Sequence, residues 1–384
     1  MRKNDGNRAL FHKENIMRKP KVFFTSMHVT EDENLQAKLG RLIRTAGIGE
    51  IDFKRKFAAV KIHFGEMGNL AFLRPNYART VVDIIKELGG KPFLTDCNTL
   101  YVGYRKNALD HLDTAYTNGF SPFSTGCHVI IGDGLKGSDE ALVPVPGGEL
   151  VMQAKIGRAV MDADIVISLN HFKCHELTGI GGALKNIGMG CGSRAGKMEM
   201  HSDGKPAVSR DLCIGCGKCV AICAFNAPKL SGGKAAIDHA ICVGCGRCMT
   251  VCPTDAIEAT DSSANDDLNK KMAEYAAAVL TGRPHFHVTM VVDVSPFCDC
   301  HSENDIPIVP NIGMFASFDP VALDVACAAA VNAQRPYPGS LLEQIERTSD
   351  DHFTSIHPDT NWWVCIQHAV KLGLGGTDYE LVTV

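Results

Sequence analysis

The chain has 384 residues, a formal net charge of −4, and 45% hydrophobic against 21% charged residues. That balance suits a globular protein of two or three domains and excludes a general nucleic-acid binder, which needs a basic surplus. No run of about 18 apolar residues occurs and no stretch resembles a secretory signal, so no membrane span is expected. The sixteen Cys then point to a reduced cytosolic setting rather than to a disulfide scaffold.

Residues 1–18 are polar and basic without periodicity, and MRKN at Met1 is echoed by MRKP at Met17. Met17 is therefore expected to be the start, with residues 1–16 a read-through or a loose tail. Lys21–Met27 reads as a strand and Glu33–Thr45 as a helix. Ala58–Phe64 reads as a buried strand ending in HFGEMGN, and Pro75–Leu88 as a helix opened by Pro and stopped by Gly89-Gly90. Strand Pro92–Asp96, helix Asn107–Asn118 and strand His128–Gly132 follow. Gly157–Met161 leads into strand Asp164–Leu169, a loop NHFKCHELTGIGG, and a short helix from Ala183. Strand and helix alternate, and polar or Gly-rich residues fall at strand carboxyl ends, which predicts an α/β fold with a largely parallel sheet and ligands outside that edge.

Residues 204–261 break this rhythm. They read Cys213-x2-Cys216-x2-Cys219-x3-Cys223 and, 29 residues on, Cys242-x2-Cys245-x2-Cys248-x3-Cys252-Pro253. This is the bacterial two-cluster ferredoxin run, in which three Cys of one run and the fourth of the other hold each [4Fe–4S] cluster. Cluster I is assigned to Cys213, Cys216, Cys219 and Cys252, and cluster II to Cys242, Cys245, Cys248 and Cys223. A zinc site takes two spaced pairs rather than two matching four-Cys runs. Gly215, Gly217, Gly244 and Gly246 stand where the backbone must turn tightly and offer amides to sulfur. Beyond the runs, helix Asp266–Leu280, strand His287–Val294, a helix from Val321 and a last helix Trp362–Leu372 resume the α/β pattern. The organisation expected is an extension 1–18, an α/β domain in two parts, 19–203 and 262–384, and a small α+β ferredoxin-like insert at 204–261.

Other polar groups cluster at strand ends. In His171-Phe172-Lys173-Cys174-His175, alternate residues of an extended chain share a side, so His171, Lys173 and His175 are grouped as candidates for holding a metal or an anionic substrate. Gly179, Gly181 and Gly182 open a helix toward Lys185 and are a candidate anion nest. Cys298, Cys300 and His301 are soft ligands one short of a closed metal site, with Cys191, a His of the earlier loop or an open position for substrate as the fourth. His63 and Glu66 suit acid–base work, and Arg74, Arg105 and Arg194 are candidate anion anchors. Asp319-Pro320 reads as a helix N-cap, and Cys127, Cys327 and Cys365 as core.

Together KIHFGEMGN, GGKPFLTDCNTLYVGYR, VIIGDGLKG, DADIVISLNHFKCH, GGALKNIGMGCGSRAGK, the two Cys runs, FCDCH and PIVPNIGMFASFDPVALD resemble the uncharacterised Fe–S centre proteins called domain of unknown function 362. The resemblance spans most of residues 20–330 and implies an α/β domain with a ferredoxin insert, but brings no reaction with it. The family pattern has Gly at the place of Cys174 and Thr at that of Cys97, so neither thiol is expected as a family ligand.

The reading is an anaerobic oxidoreductase whose clusters pass electrons to a site of His63, Glu66, His171, Lys173, His175 and Lys185, acting on a small molecule or with a redox partner protein. A non-enzymatic electron carrier or maturation factor, and a metal-dependent enzyme with structural clusters, stand as alternatives. A further metal or a flavin is left open, though no motif demands either.

Overall fold

In the computed structural model, residues 19–384 are described apart from 101–102, 202–204, 243–247, 249–250, 255, 260–262 and 348. The reading of Met17 as the start, ligand Cys245, and Gly244 and Gly246 lie outside the described residues, as do the boundary residues 204 and 261.

The central sheet has eight strands: β1 Lys21–Ser26, β2 Phe57–Lys61, β3 Lys91–Asp96, β4 Val129–Ile131, β5 Ile165–His171, β8 His285–Val291, β9 Gly313–Ser317 and β10 Glu380–Thr383; a hairpin, β6 Lys173–His175 and β7 Gly179–Gly181, follows β5. Their order is β10-β1-β9-β8-β5-β2-β3-β4, and every neighbouring pair is parallel except the two that β9 makes. The α/β class with a largely parallel sheet is therefore what the chain adopts.

Both faces of the sheet are covered, as a mostly parallel sheet requires. Along β5, Ile165, Ile167 and Leu169 join one core and Val166 another, and all seven residues are buried. Helices α1 Leu35–Thr45 and α2 Pro75–Glu87 lie on the first core. On the second lie α4 Ala183–Cys191, α5 Ser263–Leu280 and α7 Trp362–Lys371, while α3 Ala108–Thr117 follows β3 and α6 Pro320–Asn332 follows β9. The helix starts are local chemistry: the Asn34 side chain accepts from the Ala37 amide at 3.0 Å, Asn107 caps α3, and Pro75 opens α2. Asp319 accepts from the Ala322 amide at 2.8 Å and so is the cap of α6. Cys127, Cys327 and Cys365 are core residues.

Three expectations change. The stretch His171–His175 is not a loop: β5 runs through His171, and β6 pairs with β7, Lys173 opposite Gly181 and His175 opposite Gly179. The reason is backbone satisfaction, since the Phe172 and Cys174 amides donate to the Met290 and Ser295 carbonyls. Strand β2 stops at Lys61, short of Phe64. Strands β9 and β10 were not expected, because their pairing with β1 joins residues as far apart as 296 and 359 positions and leaves no local trace.

Between α4 and α5 the chain forms two small antiparallel sheets, Pro206–Val208 with Ile257–Ala259 and Pro228–Ser231 with Lys234–Ile237. None of these strands joins the central sheet. No described helix is long and apolar enough to cross a membrane.

Several buried imidazoles make the fold acid-sensitive. Burial pushes His111 and His201 down to about 3 and His285 to about 4. Below about pH 6.5 the unfolded chain takes up protons that these rings refuse, so their stabilisation is present above that pH and is lost as the pH falls toward 4 and 3. Asp324 acts in the opposite sense, since burial raises it to about 7 and its contribution is lost as the pH rises through that value. Three rings outweigh one carboxyl, so the melting temperature should fall between pH 7 and pH 5. His111→Asn should flatten the slope; a flat or rising profile in the unmodified protein would contradict this account.

Candidate functional site

Strands β2, β3, β5 and β8 are parallel, so their carboxyl ends lie at one edge, and there a cavity opens. Lys61 and His63 reach it from the end of β2, Asp96, Cys97 and Thr99 from the end of β3, and His171 from β5. The β6–β7 hairpin adds Lys173, His175 and Gly181, and α4 adds Lys185 and Asn186. Arg105, Lys197, His201 and Cys300 complete the charged and reactive part of the wall. The alternation expected for His171, Lys173 and His175 holds: all three line the cavity, while Phe172 and Cys174 between them enter the core.

A buried carboxylate, Asp299, organises this wall. Its Oδ1 meets Lys173 Nζ at 2.8 Å, and its Oδ2 meets His171 Nδ1 at 3.1 Å and His63 Nδ1 at 3.7 Å. Burial alone would raise Asp299, but the Lys173 ammonium and the hydrogen bond from His171 hold it well below the usual carboxylate range. His171 Nε2 faces the Val292 carbonyl at 2.8 Å, so both of its nitrogens are committed to acceptors and neither is open to a metal.

His175 is held differently. Its Nδ1 accepts from the Leu177 and Thr178 amides at 3.1 and 3.3 Å, so the neutral ring carries its proton on Nε2, which faces Cys300 Sγ at 4.0 Å. Burial keeps it neutral, pushing it well below its ordinary value against the pull of Glu176. Cys298, Cys300 and the His175 ring place their ligand atoms within 4.8 Å of one another, and so do Glu176, Cys300 and His301. The trio Cys298, Cys300 and His301 thus divides: His301 Nε2 pairs with Glu176 at 2.6 Å and shares only Cys300 with the thiol pair. Toward the thiols His175 presents an N–H rather than the lone pair a metal needs. Cys191 packs in the core beside Cys97 and is not part of either group.

The thiols differ. A hydrogen bond from Cys298 holds Cys300 below its usual value against burial, with Lys185 helping, whereas burial pushes Cys298 and Cys97 well up. Burial disfavours the Lys185 charge, but the Cys298 and Cys300 sulfurs outweigh it and raise the amine above its usual range; Nζ lies 3.5 Å from Cys298 Sγ.

Two sequence expectations are corrected. His63 and Glu66 do not form an acid–base pair, because Arg105 stands between them: Nε donates to Glu66 Oε2 at 3.0 Å and Nη1 lies 2.9 Å from His63 Nε2. Glu66 also accepts from the Met67 and Tyr104 amides and does not line the cavity. The Gly179, Gly181, Gly182 segment is no open anion nest, since the Ala183 and Leu184 amides at the start of α4 already donate to Asp324 at 2.6 and 2.9 Å. Gly182 makes room for that carboxylate: a Cβ there would sit 2.3 Å from Asp324 Oδ1. Gly179 turns away from the cavity, against Trp362 and Thr360. Of the three arginines, only Arg105 lines the cavity; Arg74 pairs with Asp293 at the surface, 3.7 Å away.

Sequence reasoning missed Lys61, Asp96, Lys197, His201 and Asp299. Lys61 offered a signal, a charge inside the apolar run FAAVKI, and the structure explains it: Nζ meets Asp96 Oδ1 at 3.0 Å and Asn186 Oδ1 at 2.7 Å. Lys197 and His201 are four apart on the helix Arg194–His201, a spacing that shares a face.

In the Cys-run segment, Cys213, Cys216 and Cys219 of the first run and Cys252 of the second line one cavity. The Ala235 and Gly215 amides hold the Cys213 thiol below its usual value, and the Ala256 amide donates to Cys252 Sγ at 3.3 Å. Gly215 and Gly217 both have positive φ, and a Cβ on Gly215 would lie 2.2 Å from the Gly233 carbonyl oxygen. Four thiols converging on one space, one held toward thiolate and two served by amides, is a donor set that fits a cubane cluster. For the other set, Cys223, Cys242 and Cys248 are among the described residues and Cys245 is not.

Fold and site together define an α/β protein with a buried, cation-lined cavity at the carboxyl edge of its sheet. The model of the family Domain of unknown function (DUF362) matches residues 58–329, and the chain belongs to that family. No curated protein matches it. Among solved structures it is similar to the lactate racemase apoprotein from Thermoanaerobacterium thermosaccharolyticum, at 10% identity and TM-score 0.32, over 70% of this chain and 47% of that one. The chain thus spans about half the length of that relative. It is also similar to a protein from Thermotoga maritima, at 12% identity and TM-score 0.40, over 92% of this chain and 88% of that one.

Asp299→Asn should destabilise the protein by about 3 kcal/mol in urea unfolding, because Lys173 loses its buried counter-charge; a change below about 0.5 kcal/mol would deny Asp299 its central place. Brief treatment with a small alkylating agent should modify Cys300 ahead of Cys97 and Cys298. Cys298→Ala, which removes the main cause of the low Cys300 value, should move the pH profile of that alkylation upward, as peptide mass spectrometry would show.

Proposed function

We propose that this protein is an iron–sulfur oxidoreductase that carries two [4Fe–4S] clusters in a ferredoxin-like insert spanning residues 204–261 and binds its substrate in the cation-lined cavity. The observation that carries the reading is the meeting of Cys252 with Cys213, Cys216 and Cys219 around one space, the cross-run combination that a two-cluster ferredoxin uses. Cys223, Cys242, Cys245 and Cys248 would hold the second cluster. When bound, the clusters supply one-electron transfer.

The rest belongs to the cavity's own side chains. Lys61, Lys173 and Arg105 are held in place by Asp96, Asp299 and Glu66, so they orient a substrate without reorganising. His63 is kept neutral by burial and receives the Arg105 guanidinium at Nε2, so it positions Arg105 and is not a free base. Among the described cavity residues, Cys300 is the thiol held toward its reactive form, and it is the group suited to accept a proton or attack a substrate. The paired polar groups at the sheet edge favour an enzyme over an electron carrier or maturation factor, which needs no such cavity.

Protein purified without oxygen should contain about eight iron and eight sulfide per chain, with a reduced EPR signal of paired [4Fe–4S] clusters. Cys216→Ser should lose about half the iron and leave the far-UV circular dichroism of the main sheet unchanged. Fewer than about two iron atoms per chain in freshly purified protein would sink the iron–sulfur reading. A stoichiometric metal other than iron, lost in Cys298→Ala, would instead favour a metal-dependent enzyme with structural clusters.

A further inference from the structure

The charges around the cavity do not balance. Five cationic side chains line it, Lys61, Arg105, Lys173, Lys185 and Lys197, against one carboxylate, Asp96. Three of the five have a carboxylate partner: Lys61 has Asp96 at 3.0 Å, Arg105 has Glu66 at 3.0 Å, and Lys173 has Asp299 at 2.8 Å. Lys185 and Lys197 have none within ion-pair distance among the described residues. Lys185 Nζ approaches Cys298 Sγ at 3.5 Å, and Lys197 Nζ donates to the Gly192 carbonyl at 2.6 Å. A buried positive charge without a counter-charge is costly, and the cost is removed when a ligand brings the opposite sign. With Cys300 as a thiolate the surplus is about one charge, and with a neutral thiol about two.

Two donors of cavity-wall residues lack an acceptor. Arg105 Nη2 and Thr99 Oγ1 are buried, belong to residues on the cavity wall, and make no hydrogen bond. Unsatisfied buried donors are rare and mark a missing acceptor. A guanidinium edge, a hydroxyl and two ammonium groups together match an anion with several acceptor oxygens and a charge of one to two. The same field repels a free metal cation, and the start of α4, the usual backbone anion site, is closed by Asp324.

We propose that the cavity recognises the phosphate group of a small phosphorylated molecule, held by Lys185, Lys197, Arg105 Nη2 and Thr99 Oγ1. This deepens the reading of the cavity as a substrate site and rests on it.

The test is a calorimetric titration of the cluster-loaded full chain with inorganic phosphate, with succinate and glycerol as parallel arms at constant ionic strength. Phosphate should bind one to one and raise the melting temperature, and glycerol should not bind. Lys197→Met and Lys185→Met should each weaken phosphate by about tenfold or more, while the surface change Lys19→Met leaves it unaltered. Tighter binding of succinate than of phosphate would overturn the phosphate assignment. Absence of anion binding by the unmodified protein, or binding indifferent to both lysine variants, would overturn the proposal outright. Iron is determined on the same sample: a chain without iron that still binds phosphate refutes the oxidoreductase reading alone, and an iron-loaded chain that binds no anion refutes this proposal alone.

Discussion

The buried Asp299 carboxylate is the interaction on which the site depends. It lies in the segment after β8, yet its contacts are His171 at the end of β5, Lys173 in the following hairpin and His63 after β2. Its backbone carbonyl also accepts the Glu66 amide at 2.9 Å. One side chain thus ties three crossings of the chain to a common edge. An ion pair out of water gains little net stability, because desolvation offsets attraction, but it is exacting about geometry. That exactness sets the positions of Lys173 and His171, and through the alternation of an extended strand it sets His175 as well.

The same logic recurs around the wall. Asp96 fixes Lys61 and Glu66 fixes Arg105, and all three carboxylates are almost fully buried. The charged groups of the cavity are therefore preorganised, a property more useful for binding a charged ligand than for stability. Asp324 shows the complementary case. It occupies the amides at the start of α4 from within the protein, so a glycine-rich helix start that looks open to an anion is already satisfied.

The two imidazoles of His171-x3-His175 illustrate how partner atoms decide role. Both are buried and both line the cavity. His171 has an acceptor at each nitrogen, and His175 has amide donors at one nitrogen and thiols at the other. Identical residues at an alternating spacing thus become a brace in one case and a hydrogen-bond donor toward sulfur in the other.

The sequence alone determined what is local. Strand–helix alternation, the caps at Asn107 and Asp319, the facing of His171, Lys173 and His175, and the spacing of the two Cys runs all follow from neighbours a few residues apart. Only tertiary structure decided what depends on distant partners. It inserted β9 antiparallel between β1 and β8, placed Arg105 between His63 and Glu66, closed the glycine nest with Asp324, and brought Lys61, Asp96, Lys197 and Asp299 to one cavity. The physical reason is that a hydrogen-bonding or charged group is defined by the partner that satisfies it. In this chain those partners are often a hundred or more residues away: Asp299 lies 128 residues from His171, and Asp324 lies 141 from Ala183.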